Sequence, residues 1–178
     1  IEVVSEHGIG RTLAIAAGGT VHAGWWVAEF DPGRHQVVLK TSDSLQAVLP
    51  QVIRRVRALL DLDADPKPIN AVLNGRFPDG DGLRVPGTVD GFELAMRAVL
   101  GQQITVAAAR TLAQRLVARF GEGIETPEAG LTRLFPAAAV LAGACASARP
   151  RSSRSRARWP GVTCPSMAVP MWTSPSPR

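Results

Sequence analysis

The chain has 178 residues, 46% of them hydrophobic, enough for one domain or for two small ones sharing a core. No uninterrupted apolar run of about 18 residues or more occurs, which excludes a transmembrane helix, and the opening Ile1-Glu2-Val3-Val4-Ser5-Glu6 lacks the basic and apolar regions of a secretory signal. The net charge of +5 invites a nucleic-acid reading, but Arg149, Arg151, Arg154, Arg156, Arg158 and Arg178 follow Ala144 with no acid among them, and without those six the charge falls to −1. Charge alone gives no argument for DNA. The first residue is not Met, so the chain reads as beginning partway through a longer protein.

The first stretch reads as strands. Thr12-Leu13-Ala14-Ile15 is a short apolar run ended by Gly18-Gly19, and Trp25 to Phe30 follows. Asp31-Pro32-Gly33-Arg34 then predicts a tight reversal, with Pro fixing φ and Gly33 accepting φ > 0. His35 to Lys40 completes an antiparallel hairpin to which the earlier strands add. β-Branched and aromatic side chains favour that surface. Trp25 and Trp26 read as sheet core, and His7, His22 and His35 as surface residues of the sheet.

The period then changes to that of a helix. Leu45, Val48, Leu49, Val52, Ile53, Val56, Leu59 and Leu60 follow spacings of three and four. Pro50 fits only a first turn, so the regular helix starts near Leu49 or Pro50. Arg54, Arg55 and Arg57 lie off the stripe, as phosphate contacts or as a solvated face. Asp61, Asp63 and Asp65 lack the Gly and distal Glu of a calcium loop, so no metal is expected. They end this helix and cap the next, Pro68 to Leu73. An Asp- and Gly-rich linker follows, from Asn74 to Gly82.

Asp90 precedes a helical run with Glu93 three residues on, a capping-box arrangement. Phe92, Ala95, Met96, Val99 and Leu100 form its apolar face, and Gly101 offers a left-handed stop. Thr105 caps another helix carrying Val106, Ala109, Leu112, Ala113, Leu116, Val117 and Phe120, with Gly121 as its end. The result is a helical hairpin with Gly101-Gln102-Gln103-Ile104 at its tip. Thr126-Pro127-Glu128 predicts a further short helix. From Ala144 the chain is Ala, Arg, Ser and Pro without periodicity, a composition that predicts disorder. Cys145 and Cys164 form no CxxC and read as free thiols of a cytosolic protein.

The block Leu83-Arg84-Val85-Pro86-Gly87-Thr88-Val89-Asp90-Gly91-Phe92-Glu93, followed by Arg97 to Ala109, resembles AlkA-type 3-methyladenine DNA glycosylases of the helix-hairpin-helix superfamily. Leu60 to Pro66 and the leading strands are similar to the small sheet domain of that family, so the resemblance spans Ile1 to Ala142. It implies an α+β chain. Residues 1–82 would form a small antiparallel sheet domain with helices, and residues 83–142 the first helices of an all-α helix-hairpin-helix glycosylase domain. Residues 143–178 would be a disordered or frameshifted tail.

The resemblance also implies a function. Such enzymes act in base-excision DNA repair: they flip an alkylated purine out of the duplex and hydrolyse its N-glycosidic bond. The hairpin tip then maps to DNA contact through Gly101, Gln102, Gln103 and Ile104, with Gln103 at the position that fills the gap in the stack. The other reading of the Gln pair is that it closes the hairpin by bonding free helix carbonyls. The family's catalytic Asp and Gly-rich hairpin lie beyond the matched region, and no Asp or Glu follows Glu128. No catalytic residue is transferred, and Asp90 is read as a cap. The implied partner is double-stranded DNA with alkylated bases, met by a monomer in a bacterial cytoplasm at the nucleoid, with no membrane, metal or cofactor. An alternative is a non-catalytic DNA-binding remnant, or a partner domain of an alkylation-response protein in which an alkyl-transfer domain precedes Ile1.

The tail also reads as a shifted frame. Met and Trp have single codons, so reading Met167 to Thr173 from the third base fixes Gly, Val and Asp at three places. With G at the free third positions the stretch becomes Asp-Gly-Gly-Ala-Asp-Val-Asp. A genuine disordered tail is the other reading.

Overall fold

The computed structural model describes residues 1–80 and 82–147, the side chains of Cys145 and Ser147 excepted. Four strands, β1 (Glu2–Ser5), β2 (Gly8–Ala17), β3 (Thr20–Asp31) and β4 (Gln36–Thr41), form one antiparallel sheet in chain order. A 3-10 turn (Asp43–Val48) leads into α1 (Leu49–Leu59), followed by α2 (Pro66–Leu73), α3 (Gly91–Leu100) and α4 (Val106–Phe120). These belong to a unit spanning Ile1–Ala138, and a second unit begins at Ala139. Helix α5 (Ala138–Ser147) takes in Ala144 to Ser147 from the stretch expected as tail, and residues 148–178 with Cys164 lie outside the described residues.

The α+β class holds, and so do the antiparallel hairpins. Gly18 and Gly19 adopt φ 57° and 80° between the partners Ala17 and Thr20, the two-residue reversal whose twist suits the flanking strands. The reversal at residues 32–35 forms as expected, but its positive φ falls on His35 (51°) and not on Gly33. Asp31 Oδ1 instead accepts the Arg34 N–H at 3.1 Å, so the aspartate organises the turn. Strand β1 and the long N-terminal half of β3 were not singled out by the sequence, because Val4 and Val21 there are exposed and carry little burial pattern.

One face of the sheet packs on the 3-10 turn and α1. Leu13, Ile15, Trp26 and Ala28 meet Leu45, Val48, Val52 and Val56, with Val89 closing the cluster. Trp26 is fully buried as expected, and Pro50 occupies the first turn of α1. The buried stripe is narrower than its sequence period suggests: Ile53 lies off the 45–48–52–56 line and is 42% exposed. Gly24 is demanded by packing, since a β-carbon there would overlap Ser42 Oγ and stand 2.6 Å from Leu45 Cγ and 2.7 Å from Ser44 Oγ.

The second face is covered by the segment after α4. The helix expected from Thr126-Pro127-Glu128 does not form. Thr126 Oγ1 donates to the Leu131 carbonyl at 2.7 Å and so is not a helix cap. The segment folds back on itself instead, with Ile124 N–H donating to Thr132 O at 3.0 Å and Leu134 N–H to Glu122 O at 2.8 Å. It buries Leu131 and Leu134, and Thr12 Oγ1 on β2 donates to Arg133 O at 2.8 Å.

Candidate nucleic-acid interface

The hairpin α3–α4 is built from local caps. Asp90 is extended (φ −143°, ψ 114°), and its Oδ1 accepts the Glu93 N–H at 2.9 Å. Thr105 does the same for α4, its Oγ1 accepting the Ala108 N–H at 3.2 Å. Each satisfies an N–H that the first helical turn leaves without a partner. The second half of the expected capping box is absent. The Asp90 N–H goes to Thr88 Oγ1, and the Glu93 side chain points elsewhere.

Between the helices the chain turns at Gly101-Gln102-Gln103-Ile104. Gly101 keeps a right-handed backbone (φ −85°, ψ −5°), contrary to the left-handed stop expected of it. Its missing side chain matters for a different reason: a β-carbon would stand 3.2 Å from the Arg97 carbonyl. The left-handed residue of the turn is Gln103, at φ 59°. Backbone bonds close the turn, from Gly101 N–H to Arg97 O (2.9 Å) and from Gln102 N–H to Val99 O (3.3 Å). Among the described residues neither glutamine side chain makes a hydrogen bond, so the reading in which they seal helix carbonyls has no bond behind it.

The tip is open to solvent. Gln102, Gln103 and Ile104 are exposed and Gly101 is half-buried, with Val106 beside them also exposed. The apolar face expected for α3 is covered only in part: Phe92, Ala95 and Val99 are exposed while Met96 and Leu100 are half-buried, and the Phe92 ring meets Phe135 edge-on at 6.2 Å. The residue that α3 does bury is Glu93. Its Oε1 accepts from Arg11 Nη2 at 2.6 Å and from Arg97 Nε at 2.7 Å. Arg11 Nη1 also reaches Glu2 Oε2 at 3.1 Å across the β1–β2 pair. This charged cluster ties the sheet to the hairpin, and sequence reasoning missed it. A signal existed, because Arg11 shares the strand parity of Leu13 and Ile15 and so had to point inward.

The helix arginines are partly committed within the fold. Arg55 Nη1 donates to Val89 O at 3.0 Å, and Arg57 pairs with Asp63, which holds its guanidinium above the ordinary pKa. Arg54 is exposed. Each aspartate of the Asp61/Asp63/Asp65 cluster has structural work. Asp61 Oδ2 accepts the Val85 N–H at 3.0 Å, Asp63 binds Arg57, and Asp65 caps α2 through the Lys67 N–H at 3.0 Å. Among the described residues no three His, Cys, Asp or Glu side chains gather as a metal would require. No helix there is long and apolar enough to cross a membrane.

The profile of the AlkA N-terminal domain family matches residues 1–90. DNA-3-methyladenine glycosylase 2 of Escherichia coli K12 is 32% identical over 70% of the chain, and the match spans 43% of that protein. Two Mycobacterium tuberculosis proteins, from strains CDC 1551 and H37Rv, are each 46% identical over 49% of the chain and matched over 19% of their own length. Both are named probable bifunctional transcriptional activator/DNA repair enzyme AlkA. The chain thus spans less than half the length of these relatives.

Proposed function

The chain belongs to the AlkA N-terminal domain family, and on that footing we propose that its α3–α4 hairpin is the duplex-entering part of a base-excision DNA repair glycosylase. In this reading the complete activity removes alkylated purines. The damaged base swings out of the stack, Gln103 fills the gap, and the N-glycosidic bond is hydrolysed. Gly101, Gln102 and Ile104 shape the tip around it. Residues 1–82 serve as the sheet-and-helix support, and residues 83–142 begin the helical glycosylase domain. The protein works as a monomer on double-stranded DNA at the bacterial nucleoid.

The observation that carries the reading is the backbone of Gln103. A left-handed conformation costs a non-glycine residue roughly 1–2 kcal/mol, and glycine would make the same turn without that cost. The Gln103 side chain is exposed and makes no hydrogen bond among the described residues. Strain kept at an exposed tip points to a partner outside the fold. An amide there carries both a donor and an acceptor for the base left without its pair.

We assign no catalytic residue. No carboxylate follows Glu128, so the 178-residue chain is expected to bind DNA without turnover. Fluorescence anisotropy with a duplex carrying one abasic site, and with its intact counterpart, tests the reading. Tighter binding to the abasic duplex, lost in Gln103→Ala, is the expected result. Equal affinity for the two duplexes overturns it. Release of free 3-methyladenine from alkylated DNA by this chain would overturn the absence of turnover.

A second reading has one observation in its favour: the mycobacterial relatives' name joins transcriptional activation to repair, and the match is a small part of them. The chain would then be a non-catalytic DNA-binding remnant or a partner domain of an alkylation-response protein. Its signature is affinity that falls steeply with salt and ignores the abasic site.

A further inference from the structure

The residue that α3 buries is a glutamate. None of the helix's apolar side chains is fully buried: Phe92, Leu94 and Val99 are exposed, Met96 and Leu100 are half-buried, and Phe92 makes an edge-on ring contact. Apolar burial is non-directional and tolerates sliding. A charge-assisted bond between a guanidinium and a carboxylate fixes both distance and angle. We propose that Arg11 and Glu93 are positioning residues: their buried pair sets the orientation of α3 against the sheet, and through α3 the placement of the Gln103 tip. The placement is independent of DNA, while its use in finding an unpaired base rests on the function proposed above.

The geometry gives the pair leverage. Arg11 is held on a strand, with Nη1 on Glu2 and Nη2 on Glu93. Both members of the central pair are buried, at 8% and 7% side-chain exposure. Arg97, one helical turn beyond Glu93, shares the same carboxylate oxygen and stiffens it. From Glu93 to the end of α3 at Leu100 the helix advances about 10 Å at the helical rise per residue, and the turn carrying Gln103 lies beyond it. A tilt of about 10° at the anchor therefore moves the tip by roughly 2 Å. A displacement of about 1 Å can already cost on the order of a hundredfold in a reaction that depends on placement.

A purely stabilising role and a positioning role separate in one variant. Replacing a buried ion pair with apolar residues of similar size is often neutral or stabilising, so Arg11→Met/Glu93→Met should stay folded while losing the directional bond. Spin labels at Ala16→Cys on the sheet and Gln102→Cys on the tip, with Cys145→Ser and Cys164→Ser, report the distance between them. The parent chain should give one narrow distribution, and the double variant, with its Tm retained, a broadened or shifted one. Glu93→Gln, which keeps the shape and removes the charge, should broaden it too. An unchanged distribution in either folded variant overturns the proposal. With an abasic duplex as the probe, preference over intact DNA should fall about tenfold in both variants. A parent chain without that preference would overturn the reading of the tip and leave the distance result to decide the positioning role.

Discussion

Arg11 and Glu93, 82 positions apart in the chain, meet at 2.6 Å with both side chains out of solvent. Their energetics differ from those of an exposed pair. Removing Arg11 leaves Glu93 charged and buried with Arg97 as its remaining partner, which costs up to about 3–5 kcal/mol. Arg11→Ala is therefore expected to lower stability by that order in urea unfolding. Arg11→Met/Glu93→Met should recover most of it. A double variant as unstable as Arg11→Ala would mean that the site depends on the charges themselves.

Gln103→Gly should raise stability by a few tenths to about 1 kcal/mol by relieving the left-handed backbone. The same change should abolish preference for an abasic duplex. Opposite signs in the two measurements would identify a residue held for its partner's sake. A loss of stability would mean that the Gln103 side chain braces the turn.

Gly24→Ala should destabilise by about 1–3 kcal/mol through overpacking against Ser42, Leu45 and Ser44. Thermal unfolding of this variant alone and combined with Leu45→Val checks the cause. The smaller residue should restore part of the loss, and strictly additive effects would place the strain elsewhere.

Leu131→Ala should cost about 2–5 kcal/mol, because Leu131 is fully buried on the second face of the sheet. Hydrogen exchange should then rise at β2. Unchanged protection there would mean that the 121–136 segment contributes little to the sheet.

Much of this was legible in the sequence. The sheet, α1 from Leu49 or Pro50, the caps at Asp90 and Thr105, and the helical hairpin all follow from local chemistry and apolar period, whereas α2 begins at Pro66, two residues before the expected Pro68. What escaped was set by contacts distant in sequence. Glu93 at the third position of its helix matched a capping box, and only tertiary structure shows Arg11 competing for it. Thr126-Pro127 has a helix-start signature, yet the Thr126 hydroxyl is taken by Leu131 O. Gly101 and Gly33 were natural choices for positive φ, but Gln103 and His35 adopt it. The roles proposed for the tip residues came from family resemblance, and their geometry adds exposure, strain and unbonded amides.

The strap across the second face has a temporal consequence. Thr12 waits for a carbonyl 121 residues downstream. At a synthesis rate of about 5–20 residues per second, roughly 6–24 seconds pass before that partner exists. During that interval the nascent sheet has one unsheltered side, and pairings so remote in sequence form late. A ribosome paused before Leu131 would therefore hold a chain whose sheet strands are made and whose back is uncovered. That is the stage at which a chaperone would find the most to bind.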